Sequence, residues 1–246
     1  MQPGGQERHW DRTYSRDSAF FGNAASEFSG GAMSQFRKAA VETVLELGCG
    51  QGRDTLFFAR EGLHVTALDY SEAGLHNLEE SAAEIGVSDR VVARQFDVRE
   101  PLPFADMTFD ACYSHMLLCM ELSMEDLRFL MKEIHRVLKP GGFAIYSVRN
   151  TFDNDYGAGT HKSEAMYDIG GYVIHFFSEE QVRELAVGYE VVDLRRMQEG
   201  GAPRELFGVV LRKVGDSIGV PLSPFATRTV NSGSAADPIS RGTRFG

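Results

Sequence analysis

Three glycines and three carboxylates, ordered along the chain, carry its clearest chemistry. Residues 44–55 read VLELGCGQGRDT, where an apolar run meets Gly48, Gly50 and Gly52 and a helical pattern follows. Glycines let the backbone approach a ligand closely, and a helix N-terminus offers free N–H groups. A dinucleotide loop would read G-x-G-x-x-G; here the third glycine falls one residue early, and the P-loop lysine is missing. Glu46 precedes the loop, where it could receive an ammonium group. Asp69 ends the next apolar run, where a carboxylate can bind both hydroxyls of a ribose. Asp97 ends a third, in place to meet the exocyclic amine of an adenine. Such a set suits a cation bearing an amino acid, a ribose and an adenine, and suits a pyrophosphate poorly.

The elements that must position these groups alternate between strand and helix. Strands are predicted at Val41–Leu47, Leu63–Leu68, Arg90–Phe96, Phe109–Tyr113 and Phe143–Val148. Helices fall between them at 53–61, from a Ser71 cap to 85, and from a Ser123 cap, with Asp126 closing a capping box, to Leu138. Pro140-Gly141-Gly142 breaks the last of these. This alternation implies a parallel sheet covered on both faces. A further helix, Ser178–Val187, carries a Ser178/Gln181 capping box. The runs Tyr189–Met197 and Leu206–Val214, joined through Gly200, Gly201 and Pro203, read as a closing antiparallel hairpin, because a parallel crossover needs a dozen or more residues.

Residues 1–40 hold Trp10, Tyr14, Phe20, Phe21, Phe28 and Phe36 among polar residues and read as a helical, aromatic lid segment. Residues 41–214 form the domain. Residues 215–246, rich in Ser, Gly, Pro and Ala, read as a flexible tail. With 25 basic and 35 acidic residues the net charge is −10, which argues against a phosphate-backbone partner. Three cysteines without paired spacing fit reduced thiols, and the polar N-terminus carries no secretory or membrane segment. The expected location is cytoplasmic.

Four ordered motifs bear a family resemblance: Glu46-Leu47-Gly48-Cys49-Gly50-Gln51-Gly52, Asp69 in ALDYS, Asp97 in QFDV, and Leu138-Lys139-Pro140-Gly141-Gly142. Over residues 41–214 they resemble the class I S-adenosylmethionine-dependent methyltransferases. The resemblance implies a Rossmann-like, doubly wound seven-stranded α/β sheet of order 3-2-1-4-5-7-6, with one antiparallel strand. It implies S-adenosyl-L-methionine as cofactor and S-adenosyl-L-homocysteine as product. Glu46 and the loop residues Gly48, Cys49 and Gly50 would hold the methionine end, with Arg53 as counter-ion to its carboxylate. Asp69 would meet the ribose and Asp97 with Val98 the adenine, with Tyr70 and Ser71 also in the cofactor set. Ser114 would complete the cofactor set. GRDTLFFAREGLHVTALDYS and the closing ELFGVVLRK are similar to the tellurite-resistance and thiopurine group of small-molecule methyltransferases. No Asn-Pro-Pro-Tyr or Asp-Pro-Pro-Tyr follows the fourth strand, which removes the clamp of the exocyclic-amino DNA enzymes. Ser114-His115 lacks the Asp of the metal-dependent catechol type, so no metal is expected despite Asp153-Asn154-Asp155.

Methyl transfer from a sulfonium is an in-line displacement, and most of the work is positioning and exclusion of water. A base is needed only where the acceptor must lose a proton. His115, at the end of the fourth strand, is the candidate base or orienter. Tyr14 is a candidate for closing over the cofactor or the methyl group. His175 lies in the insert between the fifth strand and the last helix, and it and Arg204 are the candidate substrate residues, Arg204 by its likeness to a basic residue of the tellurite group. Aromatics of this insert and of residues 9–36 would form a lid whose faces favour a sulfonium. The reading is methyl transfer to a small molecule by a monomer or homodimer, with no nucleic acid or membrane partner. A peptide amine or other macromolecule as acceptor, and a non-catalytic S-adenosylmethionine-binding protein, are the alternatives.

Overall fold

The computed structural model describes residues 5–200 and 204–215. The tail expected from residue 215 onward lies, apart from Gly215, outside the described residues, as do Gly201 and Pro203 of the hairpin turn. Two helices open the chain, α1 (Gly5–Arg16) and α2 (Glu27–Lys38). The alternating part follows: β1 (Thr43–Leu47), α3 (Arg53–Arg60), β2 (His64–Asp69), α4 (Glu72–Glu84), β3 (Val91–Gln95), β4 (Phe109–His115), α5 (Met124–Val137) and β5 (Leu138–Arg149). The insert forms β6 (Thr160–His161), β7 (Met166–Ile169) and β8 (Tyr172–His175), and α6 (Glu179–Glu184), β9 (Tyr189–Glu199) and β10 (Arg204–Lys213) follow.

Seven strands form one sheet in the order β3-β2-β1-β4-β5-β10-β9, and β10 runs antiparallel to both its neighbours. That is the order expected, with the last-formed strand reversed. Alternation along the strands sends side chains to two apolar layers. Leu45, Leu47, Cys112 and Val148 pack against α5 and α6. Val44, Ala111, Tyr113 and Ile145 pack against α2 and α3 through Phe36 and Phe58, both fully buried. Each such phenylalanine contributes roughly 1.5–3 kcal/mol by leaving water. All three cysteines are buried and unpaired.

Two features depart from the expectation. The helix α5 ends at Val137 and the chain extends at once, so Pro140-Gly141-Gly142 lies inside β5 rather than ahead of it. The ladder to β4 shifts register between Phe109 and Ala111, and a Cβ on Gly142 would come 2.8 Å from the Asp110 carbonyl oxygen. The break is therefore a bulge. The insert, read as an aromatic lid, is a three-stranded antiparallel sheet of its own, β6-β7-β8.

Polar contacts tie the N-terminal helices to the sheet. Ser26 caps α2, and its backbone N and Oγ donate to Asp54 at 2.7 and 2.8 Å. Tyr113 Oη donates to the same carboxylate at 2.8 Å, so α2, α3 and β4 meet in one buried cluster. On α1, Asp11 accepts from Ser71 Oγ at 2.9 Å and from Ala73 N at 3.0 Å, supplying a second acceptor to the start of α4. Gln6 pairs with the Val173 backbone in both directions, at 2.8 and 3.3 Å, which fixes α1 to β8.

Candidate active site

The C-terminal ends of β1, β2 and β4 open into a cavity of about 440 Å³ beneath α1. The glycine loop forms its floor. Gly48, Gly50 and Gly52 all have positive φ, and a Cβ on Gly50 would lie 2.4 Å from Tyr14 Oη. The loop is held by its neighbours: Gly48 N donates to Leu68 O at 2.8 Å, and Gly50 N to Asp69 Oδ2 at 2.8 Å. The other Asp69 oxygen accepts from Ser71 N at 2.9 Å. Burial raises the Asp69 carboxyl above its ordinary value against these hydrogen bonds.

Glu46 is buried, and its one hydrogen-bond partner is Thr55 Oγ1 at 2.6 Å. Burial first, and then the nearby Asp54 carboxylate, push its pKa from 4.5 up to about 8. Among the described residues no cation pairs with it. A buried acid that lacks a cation, beside a glycine loop that lines the cavity, fits the ammonium of an amino-acid ligand.

At the end of β4, His115 faces the cavity with both ring nitrogens engaged. Its Nδ1 lies 2.7 Å from Ser147 Oγ and its Nε2 3.1–3.2 Å from the Glu199 carboxylate. Ser147 Oγ already accepts from Met116 N at 3.2 Å, so its proton is free for Nδ1. This assigns the tautomer: Nε2 carries the hydrogen and donates to Glu199. Glu199 also takes Arg53 Nη2 at 3.3 Å. Burial works to raise the Glu199 carboxyl, but His115 and Arg53 outweigh it and hold the group below its ordinary value.

Most of the residues singled out in the sequence converge here. Tyr14, Glu46, Gly48, Cys49 and Gly50 line the cavity, as do Arg53, Asp69, Tyr70, Val98, His115 and Arg204. Four others do not. Ser71 Oγ is spent on the cap of α4 and on Asp11. Ser114 Oγ donates to Leu47 O at 3.0 Å. Asp97 turns outward, where Arg99 grips both its oxygens; burial resists, but that pairing lowers its pKa. His175, expected to face substrate, is fully buried at the end of β8. Its Nδ1 is 2.9 Å from Leu122 O, its ring stacks on Phe177, and burial depresses its pKa. Apolar packing of the small sheet draws it inward. Arg53, expected to wait for a carboxylate, is held by Glu199 and lies 5.7 Å from the Phe21 ring centroid.

The sequence reading missed Glu199 and Arg149. Arg149 ends β5 as the acids end β1 and β2, and the same strand-end logic would have found it. It lines the cavity while bonded to Asp153 and Asp155, which accounts for the Asp153-Asn154-Asp155 stretch. Among the described residues no three His, Cys, Asp or Glu side chains gather as a metal site. The remaining wall is apolar: Phe96, Met116, Leu117, Met120, Ile174 and Leu206, with Trp10, Phe20, Phe21 and Tyr172 above.

Comparison with known proteins agrees with this geometry. Residues 44–142 match the methyltransferase domain family. A sterol 4-C-methyltransferase of Caenorhabditis elegans is 33% identical over 63% of this chain and 46% of its own length. A malonyl-[acyl-carrier protein] O-methyltransferase of Erwinia pyrifoliae is 32% identical over 53% of this chain and 50% of its own. The chain thus spans about half the length of these curated relatives. Among solved structures, the 1,6-didemethyltoxoflavin-N1-methyltransferase of Burkholderia thailandensis, with S-adenosylhomocysteine bound, superposes with a TM-score of 0.65. It is 21% identical and covers 85% of this chain and 88% of its own. TehB of Haemophilus influenzae gives 0.60 at 18% identity, covering 75% of this chain and 62% of its own, a likeness of fold. Residues 44–142 thus match a methyltransferase domain, on a fold shared with methyltransferases of solved structure.

Proposed function

We propose that the chain transfers a methyl group from S-adenosylmethionine to a small-molecule acceptor held under α1. The observation that carries this reading is the convergence of the glycine loop, Glu46 and Asp69 on one cavity that continues past His115 into an aromatic and aliphatic chamber. Glu46 receives the ammonium of the cofactor's amino acid, and Arg53 its carboxylate. Asp69 binds the ribose, and Phe96 and Val98 cover the adenine. The cofactor when bound supplies an activated methyl group, so the chain's own task is orientation and dryness. Tyr14, buried against Trp10 at 5.7 Å and poised over Gly50, closes the methionine end and keeps water out. His115 presents an Nε2–H toward Glu199, and a rotation of that carboxylate would turn it into an orienter for the acceptor.

The aliphatic and aromatic walls suit an acceptor with an apolar body. The names of the two curated relatives point to a sterol, which is such a body, and to a malonyl group on a carrier protein, which is not. Residues 5–38 act as a cover for the domain that begins at residue 41. Calorimetric titration with S-adenosylmethionine and S-adenosylhomocysteine tests the reading. Micromolar binding lost in Asp69→Ala, with the fold intact by circular dichroism, is expected. Folded protein that binds neither ligand would overturn it. Acceptors graded in size, from free small molecules to peptides, then separate a small-molecule enzyme from one acting on macromolecules.

A further inference from the structure

The strand-end cavity adjoins a second hollow along α1. This hollow is about 460 Å³ and is lined by Arg12, Arg16 and Asp17 together with His9, Phe20 and Tyr172. Phe20 and Tyr172 also line the strand-end cavity, so the two spaces meet at these rings. Arg12 and Arg16 stand one helical turn apart, and residues at that spacing are neighbours on a helix surface. Both are exposed. Arg12 donates from Nε to Arg8 O at 3.1 Å, and among the described residues neither guanidinium has a carboxylate within ion-pair distance. The one acid in the hollow, Asp17, has Oδ1 2.9 Å from Ala19 N.

In a chain of net charge −10, two neighbouring arginines without acidic partners form a local reversal of sign. Guanidinium forks match the geometry of phosphate and carboxylate. Beside them, Phe20 is 46% exposed and Phe21 36%, large apolar rings left at the rim of the chamber. A ligand that satisfied both features would be apolar along its body and anionic at one end.

We propose that Arg12 and Arg16 form an anion site for the acceptor, which is an amphipathic molecule with its apolar part in the strand-end cavity and a phosphate or carboxylate group in the second hollow. The proposal rests on the reading that the strand-end cavity takes the acceptor, and it narrows that acceptor to a class. The anion is held outside the chamber, so the methyl-accepting atom lies further along the molecule, toward His115. The site is electrostatic and half-exposed, and its affinity falls with added salt.

The test uses the full chain and dodecyl phosphate below its micelle concentration, with dodecanol, inorganic phosphate and S-adenosylhomocysteine as comparison ligands. Saturable binding of dodecyl phosphate is expected, weaker by about tenfold or more in Arg12→Gln and Arg16→Gln. Affinity for S-adenosylhomocysteine should be unchanged in both variants. Equal binding of dodecanol and dodecyl phosphate, or variants that match the wild type, would overturn the anion site. Inorganic phosphate binding as tightly as dodecyl phosphate would overturn the amphipathic part. Sedimentation with phosphatidylglycerol and phosphatidylcholine vesicles separates a free acceptor from a lipid surface. Arginine-dependent binding to the anionic vesicles without binding of monomeric dodecyl phosphate would refute the acceptor site. Loss of S-adenosylhomocysteine binding in the wild type would instead strike the underlying methyltransferase reading, whatever the dodecyl phosphate result.

Discussion

With the ligand's ammonium at Glu46, as proposed, cofactor binding becomes a proton-release reaction. Burial and Asp54 hold it at about 8 in the free protein, so near neutral pH most molecules carry a proton there. An ammonium placed against it favours the ionised form. Below about pH 7, binding should therefore expel about one proton per ligand, and affinity should tighten about tenfold per pH unit until it levels near the free-protein value. Isothermal titration of S-adenosylhomocysteine in buffers of differing ionisation enthalpy counts those protons directly. 5′-Methylthioadenosine, which lacks the amino-acid end, should bind without proton release. Glu46→Gln should abolish the release and flatten the pH profile. The same group also sets stability. Its folded pKa lies above the ordinary 4.5, so its contribution is intact below 4.5 and lost as pH rises through about 8. At ~1.4 kcal/mol per pH unit the full loss is on the order of 5 kcal/mol. Glu46→Gln should melt above the wild type at about pH 8 and alongside it at about pH 4. Equal proton release from wild type and variant, or from both ligands, would refute the placement of the ammonium at Glu46.

Three other expectations can be checked without knowing the acceptor. Gly52→Ala should lower Tm, because its Cβ would fall 2.3 Å from a Leu78 side-chain carbon at φ +87°; a cost of roughly 1–3 kcal/mol is expected in thermal melts. Glu199→Gln removes a charge that competes for Arg53, so S-adenosylhomocysteine should bind several-fold tighter while 5′-methylthioadenosine is unaffected. Asp11→Ala removes both bonds from α1 to the start of α4, and amide exchange in α1 should accelerate by about five- to tenfold, read by mass spectrometry with the core strands unchanged.

The first three parallel strands were legible because each is a short run closed by a glycine or an acid, and the helices because Ser71, Ser123 and Ser178 announce their starts. One part of the cavity lining was legible for the same reason: residues 46–53 are contiguous, and Asp69 falls at a strand end, so position in the chain fixes position in the cavity. Ser71 and Ser114 show the limit of that logic. They stand at the right places, but a hydroxyl next to an unfilled backbone group bonds locally, one to a helix start and the other to Leu47 O. Asp97 fails differently, since Arg99 two residues on offers a closer partner than the cavity does.

The acceptor end obeys no such local rule. Its walls come from α1, β4, β5, β8 and β9, and strands that meet only through sheet order carry no mutual signal in the sequence. His175 illustrates the cost. A histidine in an aromatic insert reads as substrate-facing, yet the insert folds as a sheet, and pairing β8 with β7 buries that ring against Phe177. Glu199 is the converse case. It lies two residues beyond the run expected to end at Met197, and the order β5-β10-β9 brings that end back to His115 and Arg53. The same carboxylate thus touches the group assigned to the cofactor's carboxylate and the group assigned to the acceptor. An event at one end of the cavity must change the electrostatics of the other, and it does so through a residue no motif contains.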